Sequence, residues 1–423
     1  LEEEPYLIVV GAGPAGLMAA GMVAGHGIPT LLLEKMDRPG RKLRITGKGR
    51  CNLTNQTDLR GFISHFGKKG AFLYQSFSRF FTSDLVQFLE RLGIETIVER
   101  GGRVFPADLD ANQVTERLAD WVLRQGVQLK IHSAVKEIII HDGRAAGVAL
   151  QDGTQIPAEA VIVASGGASY TGTGSSGDGY RMAERAGHTI QAVRPALVPL
   201  RTAGEVAASL QGLTLKNVRA SVIIDGKKTA GEFGEMLFTH FGLSGPIVLT
   251  LSERVVDALR NASRVQIAID LKPALDEQKL DDRLLREINA HHKQQFSTML
   301  KKLLPSSLIQ ACVDQIAIAA EKMCAEITVK ERRRLVTWLK DFRFEVTSSL
   351  PLEAAIITAG GVALNEIDPR SMQSKLVAGL YFAGEVLDLN ADTGGYNLQA
   401  AFSTGWMAGM AVVQQFETER KKC

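Results

Sequence analysis

The sequence predicts a mixed α/β fold: a parallel-sheet domain split by an inserted domain with antiparallel β structure and a small helical group. Three observations carry this prediction. The chain opens with a strand–turn–helix–strand pattern, in which apolar runs at residues 6–10 and 29–33 flank a glycine-rich turn and a helix-forming segment at 17–26. Residues 218–224 and 265–269 alternate as antiparallel strands do, and residues 276–340, rich in Leu, Lys, Glu, Gln and Ala, read as helices broken at Pro305. Near Ala354 the Gly-rich, apolar style of the N-terminal region returns. The expected layout is residues 1–195 and 351–423 for the split domain and 196–350 for the insert. Its β part covers 196–272 and 341–350, its helical part 273–340.

The opening unit carries a GxGxxG turn, Gly11-Ala12-Gly13-Pro14-Ala15-Gly16. Such a turn needs glycine for three reasons: a tight bend, close approach of a pyrophosphate to the backbone, and packing of helix on strand. The helix that follows offers free N–H groups and a positive dipole end to phosphates. Glu34, with Lys35 beside it, stands 23 residues after Gly11, where an acid is expected to accept from ribose hydroxyls. Together these features predict a Rossmann-type dinucleotide site. The turn by itself does not distinguish FAD from NAD.

Further along, helices are expected near residues 77–92 and 112–125, and short strands at 128–131, 135–140, 145–150 and 160–164. The run ending in Ala164, Ser165 and Gly166 has the small residues required where a cofactor crosses strand ends. Residues 379–385 again read as strand then turn, and Asn397 as the N-cap of a helix over 398–415.

Bulk properties set limits. The 423 residues are 45% hydrophobic and 22% charged, an ordinary globular balance, and the net charge of +3 is too small to argue for a polyanionic partner by itself. Cys51, Cys312, Cys324 and Cys423 form no CxxC pair, so neither a zinc site nor a disulfide framework is expected; the pattern fits a reducing cytoplasm. Residues 5–33 contain no Asp, Glu, Lys or Arg. Interrupting glycines and the preceding Glu2, Glu3 and Glu4 favour a buried β-α-β unit over membrane insertion.

Several blocks resemble one family, the BaiN/YhiN-like bacterial FAD-dependent flavoproteins. They are Gly40-Arg41-Lys42-Leu43 with Thr46-Gly47-Lys48-Gly49-Arg50-Cys51-Asn52-Leu53-Thr54-Asn55; Gly166-Gly167-Ala168-Ser169-Tyr170 with Thr173 to Tyr180; Leu237 to Pro246; and Thr358 to Val362 with Gly379 to Asp388 and Thr393 to Gln399. The resemblance spans the chain. It implies an FAD domain, an inserted domain and flavin redox chemistry, and only loosely a substrate: one branch of the family reduces dehydro-bile acids.

Arg38, Arg41, Lys42, Arg44, Lys48 and Arg50 crowd the stretch just after Glu34, so some of this basic run, with Thr46 and Gly47 within it, is expected to neutralise or line the FAD pyrophosphate. On the resemblance, Asn52 stands near the flavin ring, with Cys51 as a packing neighbour. Ala134 and Val135 meet the adenine through their backbone. Gly384 and Glu385 deliver an acid to the ribityl chain, with Asp388 or Asp392 sharing the task. The N–H groups after Asn397, beginning with Leu398, face the N1/O2 edge of the flavin and favour negative charge on the reduced ring. Proton carriers are sought among His240, Tyr170, Tyr396 and Arg103, and the insert is expected to close the substrate pocket.

The leading expectation is an FAD-dependent reductase or dehydrogenase acting on a small unsaturated or cyclic organic substrate, with NADH or NADPH as a transient donor. No metal, nucleic acid or membrane partner is expected, and no pattern sets the oligomeric state. Three alternatives stand beside it: an RNA-modifying or RNA-binding flavoprotein using the basic run 38–50, an FAD monooxygenase, and a non-catalytic FAD-binding regulator.

Overall fold

The computed structural model describes residues 4–421; Glu2, Glu3 and Cys423 lie outside the described residues. The chain divides into two compact units. One joins the residues up to Pro195 with those from Ala355 onward; the other is Ala196–Ala354.

The first unit is built on a five-stranded parallel sheet in the order Leu380–Phe382, Ala160–Val163, Leu7–Val10, Thr30–Leu33, Gln128–Lys130. Its central strand, Leu7–Val10, is buried along its whole length. This is why the strands other than the exposed edge Gln128–Lys130 read as apolar runs: a parallel sheet covered on both faces has no polar side. The first helix, Pro14–Ala24, packs against the last, Tyr396–Arg420, where Gly405 and Gly409 sit on the backbone of Ala15 and Ala19. The final segment therefore contributes both a sheet strand and a covering helix. Parallel strands deliver all their following loops to one edge, and ligands of open α/β sheets bind there. At this edge emerge the glycine turn, the basic run after Glu34, and the segments following Val163 and Phe382.

The second unit is a closed six-stranded barrel in the order Leu200–Thr202, Gly242–Ser244, Lys227–Thr239, Thr214–Ile224, Val265–Asp270, Phe342–Ser349. Helices Glu277–Ala290, Phe296–Leu300, Ser306–Ile316 and Val329–Lys340 share one apolar core with it, which includes Phe238, Ile267, Leu284, Leu335 and Phe342. Among the described residues, no helix is long and apolar enough to cross a membrane.

Three details differ from the sequence expectations. The helical stretch 77–92 is broken into Tyr74–Arg79 and Thr82–Arg91, because the Asp84 carboxylate accepts the Phe81 N–H at 2.8 Å and starts a new helix. A helix, Pro246–Arg260, lies inside what reads as a β region. The proline at its first turn and the apolar Ile247, Leu251 and Val255 on one face are its signals in the sequence. The last helix begins at Tyr396 with Gly395 as its N-cap, so Asn397 lies within the first turn and is not the cap.

Candidate cofactor-binding site

Each feature of the glycine turn has a visible steric cause. Gly11 has φ +102°, and a Cβ there would lie 2.7 Å from the Ala164 carbonyl oxygen. A Cβ on Gly16 would lie 1.9 Å from the Gly11 oxygen. At Gly13, by contrast, a Cβ would meet nothing within 4 Å. The turn is therefore tight on its inner side and open at its middle residue, the side that a phosphate would approach. The N–H groups of Ala15 and Gly16 belong to the first helical turn, which leaves its donors without intrahelical partners. An open backbone face with free donors fits a pyrophosphate.

Glu34 follows the second strand. Its Oε2 accepts the Ala12 N–H at 3.0 Å and its Oε1 the Met36 N–H at 2.8 Å. Two backbone donors thus hold the carboxylate against the glycine turn, and each oxygen retains lone-pair capacity for a hydroxyl donor. Beyond it, the Ala134 carbonyl accepts the Gln151 N–H at 2.9 Å, and Val135 pairs with Leu150 in a ladder.

The second acid is held differently. Glu385 Oε2 receives the Lys42 ammonium at 2.7 Å, while Oε1 accepts the Thr358 N–H at 2.8 Å and the Ser169 hydroxyl at 3.2 Å. Lys42 also donates to Ser169 Oγ at 2.8 Å. Gly384, just before it, packs on Ala15 of the first helix. Glu385 and Lys42 therefore form one network rather than two separate contacts.

Lys35 pairs with Asp178 and donates to Ser176 Oγ at 2.5 Å, fastening the Gly/Ser-rich loop after Gly166 to the second strand. Burial works to raise the Asp178 carboxyl, but Lys35, Ser176 and Arg181 together hold it below the ordinary range. Ala164 is buried beside the turn, and the Ser165 hydroxyl is buried with no partner, close to Gly179.

The basic run is mostly neutralised by the protein itself. Arg41 pairs with Asp37 at 3.2 Å, Arg44 with Glu116 at 3.3 Å, and Arg50 with Glu99 at 2.5 Å while lying 4.4 Å over the Phe105 ring. Arg50 thus has a partner within the protein, Glu99. Thr46 bonds back to the Leu43 carbonyl at 2.7 Å, and Gly47 takes φ +59° in the bend that follows. Cys51 is fully buried, and burial pushes its thiol up to about 12, so it remains a protonated packing group.

Asn52 lies between backbone groups. Oriented to satisfy them, its amide accepts the Gly395 N–H at 3.0 Å and donates to the Thr54 and Val104 carbonyls. This ties the loop after Cys51 to the start of the last helix. Asn397, expected as the cap, instead clamps residue 391, accepting the Ala391 N–H and donating to its carbonyl, both at 2.9 Å. Leu398 is half-buried in the same turn.

Of the expected proton carriers, Tyr396 is buried, and burial raises its phenol. Tyr170 is exposed with φ +51°, and Arg103 pairs with Glu99 at 3.6 Å. His240 belongs to the second unit, exposed in the turn after Thr239, with its ring edge-on to Phe241. The structure brings a different histidine to Tyr396. The His65 ring stacks on it at 3.8 Å, and His65 Nδ1 lies 2.8 Å from Asp392 Oδ2. No motif marks His65. Its distance in sequence from Asp392 and Tyr396 hides the cluster until the chain folds. Among the described residues, no group of three His, Cys, Asp or Glu comes together to hold a metal.

Comparison with known proteins agrees with this architecture. Solved structures with the same fold include a 3-ketosteroid Δ1-dehydrogenase from Sterolibacterium denitrificans (TM-score 0.54, 13% identity, 97% of this chain and 99% of that one). A flavocytochrome c3 fumarate reductase also matches (TM-score 0.53, 17% identity, 97% of this chain and 78% of that one). Two relatives are each 29% identical. The ribosomal RNA dihydrouridine synthase of Escherichia coli matches over 96% of this chain and 97% of its own. The 3-dehydro-bile acid Δ(4,6)-reductase of Clostridium scindens matches over 96% of this chain and 98% of its own. The model of the HI0933-like protein Rossmann domain matches residues 5–411, and the chain belongs to that HI0933-like family, with the Rossmann-type FAD-binding fold of flavin-dependent oxidoreductases.

Proposed function

We propose that this protein is an FAD-dependent reductase that saturates a ring carbon–carbon double bond activated by a neighbouring carbonyl. The observation that carries the reading is the glycine turn, open at Gly13 and closed at Gly11 and Gly16, with Glu34 bonded to its backbone. The substrate class comes from the relatives: the names dihydrouridine synthase and Δ(4,6)-reductase both describe hydrogen added across a ring double bond.

Bound FAD supplies a hydride carrier. In this reading the turn and the N–H groups of Ala15 and Gly16 hold the pyrophosphate, and Glu34 holds the ribose. Lys42 and Glu385, paired with each other and both bonded to Ser169, offer the cofactor an ammonium and a carboxylate as hydrogen-bonding groups whose charges balance. The free N–H groups at the start of the last helix favour negative charge at the ring edge they face.

The test is anaerobic addition of NADH, then NADPH, to FAD-loaded protein, followed by a cyclic enone. The expected result is bleaching of the visible flavin bands and their return on enone addition. Bands unmoved by either donor remove the pyridine nucleotides as electron source. Bands bleached but not restored by any enone remove the substrate class.

A second reading places the double bond in a nucleobase of ribosomal RNA, on the name of the Escherichia coli relative. Against it stands the internal pairing of Arg41, Arg44 and Arg50. Dihydrouridine formed in uracil-containing ribosomal RNA by the reduced enzyme, in place of enone turnover, would select it.

A further inference from the structure

We propose that His65, oriented by Asp392, is the proton donor of the reaction. This rests on the reductase reading above. Saturating a double bond takes a hydride and a proton, and the proton needs a carrier.

Two separate restraints fix the His65 ring. Its Nδ1 lies 2.8 Å from Asp392 Oδ2, and its face lies on the Tyr396 ring, with centroids 3.8 Å apart and planes 20° apart. Tyr396 is in turn held edge-on by Phe62 at 4.8 Å. Asp392 sits beside a clamped loop, because Asn397 Nδ2 donates to its carbonyl at 3.4 Å as well as to that of Ala391. A carboxylate on Nδ1–H sets the tautomer and orients the ring, which leaves Nε2 as the atom that gives and takes a proton. The His65 side chain is 33% exposed, so it can be reprotonated from solvent. The dyad adjoins the first turn of the last helix, the same turn that the reductase reading sets against the flavin edge. Other charged groups on the surrounding elements are Asp58 and Arg60 on its own helix, Lys68, and Lys69 paired with the buried Asp388.

In the step, one alkene carbon receives hydride from reduced FAD. The electron pair of the double bond moves to the carbon next to the carbonyl, which takes the proton from His65 Nε2. The substrate gains two hydrogens, FAD is left oxidised, and neutral His65 regains its proton from water.

Two measurements on the FAD-loaded protein test this, with His65→Gln, His65→Asn and Asp392→Asn as variants. The first follows visible flavin absorption and the imidazole NMR signals across pH in the same samples, and needs no substrate. The expected result is a flavin shift that tracks the His65 titration and disappears in both His65 variants. A flavin spectrum indifferent to His65 ionisation overturns the placement. The second mixes dithionite-reduced protein anaerobically with cyclohexenone and with a 3-oxo-4-ene steroid. Loss of His65 should slow flavin reoxidation by about 100-fold or more, and Asp392→Asn should shift the pH profile. Reoxidation as fast as wild type in both His65 variants overturns the proposal. Wild-type protein that no enone reoxidises counts against the reductase reading, while the pH titration still decides where His65 stands.

Discussion

The two acids at the carboxyl edge of the sheet, Glu34 and Glu385, follow equivalent strands and are secured by opposite means. Glu34 is bonded to backbone N–H groups of Ala12 and Met36, both within its own β-α-β unit. Glu385 is bonded to Lys42, Ser169 and Thr358, which come from three distant stretches of chain. A carboxylate tied to local backbone stays in place as long as its turn forms. One tied to remote side chains holds those segments together, and its position depends on all of them. The first acid belongs to a local motif; the second acts as a junction of the fold.

Breaking the local motif should have the largest effect. Gly16→Val puts a side chain on the Gly11 carbonyl, 1.9 Å from where the Cβ must sit, with only backbone to yield. The expected cost is about 3 kcal/mol or more of stability, together with loss of retained FAD. Chemical denaturation and flavin content after gel filtration check both.

The junction should break next. Lys42→Met leaves the Glu385 carboxylate, 21% exposed, without its cation. Unpairing a buried charge costs about 3–5 kcal/mol; with this partial exposure about 2 kcal/mol is expected. A cycle with Glu385→Gln should show coupling of about 1 kcal/mol or more. Additive effects would mean that the two residues act separately.

Glu34→Gln sharpens the contrast, since a neutral amide oxygen can keep one backbone bond. A loss of about 1 kcal/mol is expected, with weaker FAD binding measured by fluorescence titration of the apoprotein. An effect on folding as large as that of Lys42→Met would erase the distinction between the two acids.

The smallest effect concerns His188, a buried histidine of the same unit. Its Nδ1 lies 3.2 Å from Glu366 Oε2 and its Nε2 2.9 Å from Ser374 Oγ. Ser374 Oγ already accepts the Leu376 and Val377 N–H groups, so its own proton goes to the imidazole, which is neutral. Burial lowers the His188 pKa from the ordinary 6.5, with Glu366 opposing the shift. The unfolded chain therefore takes up the proton first as pH falls. Stability is full above about 6.5 and declines below it. Denaturation midpoints measured from pH 7.5 to 5.5 should fall in wild type and be flatter in His188→Gln.

The same contrast separates what was legible in the sequence from what was not. The strand at residues 7–10, the GxGxxG turn and Glu34 lie within one short stretch, and their contacts obey local spacing. The unbroken apolar runs announced a sheet buried on both faces. The break at Phe81 and the helix starting at Pro246 also had local signals, a capping Asp84 and a proline after glycine. The basic run 38–50 was visible, but its partners were not. Arg50 meets Glu99 and Phe105, and Lys42 meets Glu385, because separate segments converge. Asn397 has the composition of an N-cap, yet the turn at Gly395 starts the helix earlier and frees its amide to clamp Ala391.

By itself the sequence determined the α/β class, the split parallel-sheet domain and the glycine turn, since hydrophobic period and glycine sterics act over a few residues. The tertiary structure alone decided which cations are neutralised, which acid is a junction, and that His65 meets Asp392 and Tyr396. Side-chain pairing depends on which distant segments the core brings within hydrogen-bond reach, and no local pattern encodes that.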